Sequence, residues 1–120
     1  MNANRQGYNN QKRTEKVLND YGVIDTAARP SRFGGKHDHF KLFDHIFVCT
    51  NPLMLEYVEK DKIKTYVFMP EQIYFIQTKS RIQSPKETEK YRLFPAKNIL
   101  IFAWIKQENG RYLLTIQEVK

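Results

Sequence analysis

Residues 40–50 read FKLFDHIFVCT, and this stretch decides the predicted fold class. Side chains alternate between the two faces of a β-strand, so each face can be read separately. One face holds Leu42, Asp44, Ile46 and Val48, and the other holds Phe43, His45, Phe47 and Cys49. Because both faces are largely apolar, the pattern predicts a central strand over 40–50 that carries one acid, Asp44.

The sequence on either side predicts further helices and strands. Gly22 is a typical stop after the first helix, and we expect a positive φ there. Asn51-Pro52 is typical of a helix start, so 53–60 is either two helical turns or an extended insert. Ser84 and Glu87 form a capping-box pattern, and Asn109-Gly110 is a hairpin turn. The predicted elements are helices over 5–21 and from 84 to before Pro95, a loop over 31–39, and extended segments over 23–28, 40–50, 65–69, 72–79, 98–106 and 112–119.

This order of elements predicts the α/β class, with a central mixed β-sheet flanked by helices. A chain of 120 residues is too short for two independent cores, so we expect a single domain over 1–120. The longest apolar run, Ile99–Ile105, is too short to span a bilayer, and no signal peptide is expected at the N-terminus. Cys49 is the single cysteine, which is typical of a cytoplasmic, reducing environment.

The charge balance points to phosphate-rich partners. Lys and Arg number 20 against 13 Asp and Glu, so the formal net charge is +7. A strongly basic small domain makes nucleic acid the first partner class to test. We predict nucleic-acid contacts at the basic residues Lys12, Arg13, Lys16, Arg29, Arg32, Lys36, Lys41 and Arg81. The pattern contains no recognition-helix or zinc-finger signature, so these contacts are expected to reach the backbone and not the bases.

Polar side chains in two apolar strands form the candidate site. Gln77 and Lys79 lie two residues apart and therefore share a strand face. If their strand pairs with the strand that holds Asp44, all three side chains converge at one end of the sheet. A buried acid needs a partner, and either a divalent cation or the Lys79 ammonium would provide one.

The pattern Asp44…Gln77-Thr78-Lys79 resembles the Asp…(Glu/Gln)-x-Lys core of the PD-(D/E)XK nuclease superfamily. Most of the chain is similar to archaeal and viral Holliday-junction resolvases and related small endonucleases. Glu15 is placed like the acid on that family's first helix, and the loop over 31–35 resembles its Ser/Gly loop. The sequence departs from the family by having Gln77 where most members have Glu. It also requires an insert over 51–66 between the paired strands.

The resemblance implies a restriction-endonuclease-like core and a Mg²⁺-dependent, structure-selective DNA endonuclease. Its catalytic set would be Glu15, Asp44, Gln77 and Lys79. Ser31 of the loop would contact a phosphate of the nucleic acid or help to position the metal ligands. Asp44, the Gln77 side-chain oxygen, the Thr78 backbone carbonyl and Glu15 would hold Mg²⁺ or Mn²⁺. The metal would polarise the phosphate and activate a water, while Lys79 offsets charge in the transition state. The implied substrate is DNA, branched DNA included. Cutting both strands of a junction requires two active sites, so a homodimer is expected.

Three alternatives stay open at this point. A catalytically degenerate nuclease-like module would bind DNA without cutting it, and a protein-interaction domain would be basic only incidentally. A zinc site formed by His37, His39, His45 and Cys49 is disfavoured, because His45 and Cys49 lie too far apart along one strand. Cys49 is better interpreted as a small buried apolar residue, and Glu15 could form a surface pair with Lys12 or Lys16.

Overall fold

The computed structural model describes residues 3–27, 39–40 and 42–120. The helices are α1 (Ala3–Leu18), which continues into one 3₁₀ turn (Asn19–Tyr21), and α2 (Pro85–Arg92). The strands are β1 (Gly22–Thr26), β2 (His45–Cys49), β3 (Leu53–Glu59), β4 (Lys62–Phe68), β5 (Ile73–Lys79), β6 (Ile99–Lys106) and β7 (Tyr112–Glu118). In this part of the chain, no helix is both long and apolar enough to cross a membrane.

The strands form a five-stranded mixed sheet and a separate hairpin. The sheet has the order β1-β2-β5-β6-β7, in which β5 and β6 run parallel and the other neighbours run antiparallel. β3 and β4 pair only with each other, antiparallel from Leu53↔Phe68 to Glu59↔Lys62. The predicted α/β class with a mixed sheet and helices is therefore confirmed, and the sheet is mostly antiparallel.

Two apolar clusters define the faces of the sheet. On the first, which we call the α1 face, Leu18 of α1 and Phe68 of the hairpin belong to one buried cluster with Phe47, Ile76 and Phe102. On the second, the α2 face, Tyr91 of α2 packs in a cluster with Phe43, Ile99 and Ile101. The sheet is thus the middle layer, with α1 and the hairpin on one side and α2 on the other.

The central strand is shorter in the structure than the predicted strand over 40–50. β2 begins at His45, because the backbone of His39 and Phe43 closes a tight turn through His39 N–H to Phe43 O (2.8 Å) and Phe43 N–H to His39 O (3.0 Å). Asp44 occupies a bend between this turn and β2. The prediction of a strand over 40–50 is therefore wrong for the described residues before His45 and for Thr50, and it is confirmed for His45–Cys49.

The segment after β2 resolves one alternative that the sequence left open. Residues 53–59 form β3, so the helical alternative is wrong and the extended insert is confirmed. Leu53, Leu55 and Tyr57 alternate towards the α1-face cluster, and their period of two fits a strand. Because β2 pairs directly with β5 through His45↔Ile76 and its neighbours, the β3–β4 hairpin is an insertion between paired strands.

Two local predictions have different outcomes. The capping box is present: the Ser84 hydroxyl accepts from Glu87 N–H, and the Glu87 carboxylate accepts from Ser84 N–H. The expected positive φ at Gly22 is wrong, since its φ is 169°, which is extended backbone. Glycine is needed there because a Cβ would lie 2.1 Å from the Val48 carbonyl oxygen.

Candidate functional site

Asp44 is buried at the start of β2 and accepts three hydrogen bonds. Its Oδ2 accepts from Thr78 N–H (3.1 Å) and from the Thr78 hydroxyl (2.5 Å), and its Oδ1 accepts from the Gln11 side-chain amide of α1 (3.0 Å). The register between β2 and β5 ends at His45↔Ile76. The Asp44 carboxylate therefore replaces a strand carbonyl as the acceptor for Thr78 N–H.

A second polar network lies beside Asp44 on the α1 face. The Thr26 hydroxyl donates to Glu15 Oε2 (2.6 Å) and lies 2.8 Å from His45 Nδ1. The Thr26 hydroxyl has one hydrogen, which it donates to the Glu15 carboxylate. The hydrogen of the contact between Thr26 and His45 must therefore be on His45 Nδ1, which donates to the Thr26 oxygen. His45 Nε2 is then an unprotonated acceptor, and it is buried with no hydrogen-bond partner within residues 3–27, 39–40 and 42–120.

Burial and hydrogen bonding set the protonation of this network. Burial lowers the pKa of His45 to about 4, although the charges of Asp44 and Glu15 oppose the shift. Burial raises the pKa of Glu15, but hydrogen bonds from Thr26 and Lys12 outweigh it and leave that pKa below its usual value. At neutral pH, His45 is therefore neutral and Glu15 is a carboxylate.

Gln77 and Lys79 lie on the α2 face. In the parallel β5–β6 register, Gln77 is opposite Ile101, and Phe75 on the same face is opposite Ile99. Gln77 is 9% exposed, and its Oε1 is buried with no hydrogen-bond partner in the described part of the chain. Lys79 lines an open cavity of about 570 Å³. The other lining residues belong to α2 or flank it: Gln83, Lys86, Glu87, Glu89, Lys90, Tyr91 and Leu93.

The structure divides the predicted catalytic set between the two faces. Glu15 and the Asp44 carboxylate contact groups of the α1 face, whereas Gln77 and Lys79 lie on the α2 face at the same end of β5. Strand alternation led us to expect Asp44 on the face of Gln77. Asp44 instead lies in a bend before β2, where alternation does not apply. The roles of these four residues in catalysis stay predictions.

The donor atoms at this end of the sheet are mainly oxygens. No cluster of three or more His, Cys, Asp or Glu side chains suited to a metal ion occurs within residues 3–27, 39–40 and 42–120. The Asp44 carboxylate and the Gln77 amide oxygen are hard donors of the kind that Mg²⁺ prefers. Cys49 is buried at the far end of β2 from His45, where its thiol donates to Asn51 O and burial raises its pKa.

The predicted nucleic-acid contacts have varied surroundings. Lys12 pairs with Glu15 at 3.3 Å, as one alternative for Glu15 predicted, and Lys16 is exposed. The Arg13 guanidinium lies 3.7 Å from the centre of the Tyr112 ring, and Arg81 forms a bidentate pair with Glu87. Five further predicted residues lie outside the described part of the chain: Arg29, Ser31, Arg32, Lys36 and Lys41.

Three polar partners of the site are not among the residues predicted from the sequence pattern. Gln11 and Thr26 are two of them, and the third is the Thr78 hydroxyl, which binds Asp44 although the prediction assigns Thr78 a role only through its backbone. Gln11 lies four residues before Glu15, and this spacing places both side chains on one helix face. The spacing between Gln11 and Glu15 therefore could have indicated that Gln11 belongs to the site. No sequence pattern indicated Thr26, because its partner His45 is distant in sequence.

Comparisons of the chain with protein-family models, with curated proteins and with solved structures find no match.

Proposed function

We propose that the protein is a Mg²⁺-dependent, structure-selective DNA endonuclease with a restriction-endonuclease-like core. The observation that supports this proposal best is the buried Oε1 of Gln77, which has no hydrogen-bond partner among the described residues and lies two residues before Lys79 on one strand face. A buried amide oxygen without a donor costs on the order of 1–3 kcal/mol. A divalent cation at this oxygen removes that penalty, and a neighbouring lysine suits a phosphate ligand.

Asp44 is the proposed charged ligand. A carboxylate offers about four lone-pair positions, and the described contacts of Asp44 use three of them. One position is left for a cation, and a cation held by both Asp44 and Gln77 would have to lie at the end of β5, beyond the sheet, since the two side chains lie on opposite faces. When bound there, Mg²⁺ polarises a phosphate and lowers the pKa of a coordinated water. Glu15 contributes the second carboxylate, from the network beside Asp44.

The order of the strands and helices is a second support for the proposal. β1, β2 and β5 form an antiparallel meander, and α2 then connects β5 to the parallel strand β6. In this arrangement the predicted acid precedes the second strand of the meander, and Gln77 and Lys79 end the third. The β3–β4 hairpin accounts for the long spacing between Asp44 and Gln77. We also propose a homodimer, because cutting a branched substrate on two strands requires two active sites and one chain provides one.

The hydrogen bonds of Asp44 favour a second candidate function. Its carboxylate already joins α1 to β5, and an amide stands at position 77 where an acid would strengthen metal binding. Both features suit a nuclease-like module that binds DNA without cutting it. The two candidates share DNA binding and differ only in metal-dependent cleavage.

The substitution Asp44→Asn separates these candidates because it removes charge while keeping the hydrogen bonds. The Asn oxygen can accept both bonds from Thr78, and its amide can donate to Gln11 once the Gln11 amide flips. The nuclease proposal expects wild-type protein to nick junction, flap or duplex DNA in Mg²⁺ or Mn²⁺. Asp44→Asn should abolish nicking and leave DNA binding in EDTA intact or slightly tighter.

Two further variants and a control complete the experiment. Gln77→Glu should retain activity at a lower Mg²⁺ concentration, and Lys79→Ala should slow cleavage with little change in affinity. Glu56→Gln, an exposed acid on β3, is the matched control and should cleave like wild type. Absence of cleavage from wild type on every substrate would establish the binding module instead. Cleavage that survives Asp44→Asn would remove Asp44 from the active site.

A further inference from the structure

Phe40 is an exposed aromatic residue held in an unusual backbone conformation. The residue is 61% exposed, and its φ is 54°, in the left-handed region that bulky residues rarely adopt. The His39–Phe43 turn fixes this conformation through three backbone hydrogen bonds, the third from Leu42 N–H to His39 O. Strained residues of this kind persist where the surroundings determine them, and they concentrate at functional sites.

The Phe40 ring lies at the edge of an aromatic cluster that extends along the α2 face. Its centre is 5.1 Å from Phe94 and 6.2 Å from Phe75, which in turn contact the buried Phe43. One side of the Phe40 ring is therefore supported by other rings. Phe75 is two residues before Gln77 on the same strand face, so the exposed ring is near the candidate site.

A cavity with several lysines begins one residue from Phe94, the ring that packs against Phe40. Leu93, which is 76% exposed and precedes Phe94, lines the cavity that also contains Lys79, Lys86 and Lys90. Glu89 lines the cavity too, as does Glu87, whose charge is paired with Arg81. An exposed apolar ring beside several lysines matches a nucleotide, whose base stacks on an aromatic face and whose phosphate pairs with ammonium groups.

We propose that Phe40 is a stacking platform for one unpaired nucleobase. The inference rests on the proposed function for the ligand class, and it adds that the substrate has a single-stranded or unpaired segment next to the candidate site. A base inside a continuous duplex offers no free face, so Phe40 selects ends, flaps or the unpaired centre of a branch. Its support by Phe94 and Phe75 keeps the ring in place before the nucleic acid binds.

A pair of oligonucleotides tests stacking separately from charge. Binding is measured in EDTA, where nothing is cleaved, with a labelled 12-nucleotide oligothymidylate and with an abasic strand of the same length. Wild type should bind the oligothymidylate more tightly. Phe40→Ala should weaken oligothymidylate binding about tenfold, as expected for the loss of one base–aromatic stack, and leave abasic binding unchanged. Phe40→Trp should retain or increase the preference for bases.

Two controls keep the outcome interpretable. Phe40→Asn removes the ring but tolerates positive φ, so it should bind like Phe40→Ala while its melting temperature is not below that of wild type. Ile63→Ala removes an apolar side chain of similar exposure (72%) on the distant hairpin and should change neither affinity. Equal wild-type affinity for both strands, or an equal loss for both in Phe40→Ala, overturns the platform. If cleavage fails while the base preference holds, only the endonuclease proposal falls.

Discussion

Buried His45 should make the stability of the protein depend on pH in a predictable window. In the folded state its pKa is about 4, against an ordinary value of 6.5. Between these values the unfolded chain binds a proton at this position that the folded protein does not bind. Acid therefore favours the unfolded state, and the stability that His45 contributes at pH 7 is lost as the pH falls through 6.5 towards 4.

The magnitude follows from the two pKa values. One proton of difference changes the free energy of unfolding by about 1.4 kcal/mol per pH unit. Integration from pH 7 to pH 4.5 gives a loss of roughly 2 to 2.5 kcal/mol from His45 alone. This is a large fraction of the 5–15 kcal/mol that is typical of a small domain. Glu15, Asp44 and His39 are the titratable groups near His45, so a variant is needed to isolate its contribution.

The assay is urea unfolding at half-unit steps from pH 7.5 to 4.5, for wild type and for His45→Asn. The asparagine amide can still donate to the Thr26 hydroxyl but does not titrate. The variant should be less stable at pH 7, because the smaller side chain leaves a cavity. Its stability should fall less steeply with acid, so that the difference between the two proteins shrinks by roughly 2 kcal/mol at pH 4.5. Parallel curves for the two proteins would refute a buried neutral His45.

Three other predictions test the fold and its charge. Gly22→Ala should lower the free energy of unfolding, measured in urea, by about 2 kcal/mol or more, because the alanine Cβ would meet the Val48 carbonyl. Unchanged stability would contradict that close approach. Ser84→Ala should cost about 1 kcal/mol, since Glu87 N–H loses its cap, whereas Ser84→Asp should cost little by the same measurement. The logarithm of the association constant for duplex DNA should fall linearly with the logarithm of the salt concentration. An affinity that does not change with salt would exclude binding to the phosphate backbone.

The sequence predicted the parts of the fold that depend on local patterns. The apolar run of β6, the hairpin turn before β7 and the Ser84–Glu87 capping box all appear where the residues indicated. Each of these signals is formed by residues close together in the chain. The parallel pairing of β5 with β6 was not predicted, because strand order depends on contacts between distant residues.

The candidate site was harder to predict because it depends on a departure from regular structure. Strand alternation treats residues 40–50 as uniform and therefore assigns Asp44 to the face of Gln77. The backbone instead turns at His39–Phe43, and the alternation begins only at His45. No residue in this stretch is a glycine or proline, so the sequence contained no usual turn signal. The same reason explains why the exposed position of Phe40 was not foreseen.

This turn also explains why Asp44 binds Thr78. If the β2–β5 ladder continued past His45↔Ile76, the next hydrogen-bonded pair would bring the Phe43 carbonyl to Thr78 N–H. The Phe43 carbonyl accepts from His39 N–H instead, so Thr78 N–H needs another acceptor, which the Asp44 carboxylate provides. One turn therefore determines three features: the end of the ladder, the orientation of the proposed charged ligand and the exposure of Phe40. A change that opens the turn should affect all three together, because a restored ladder would free the carboxylate from Thr78.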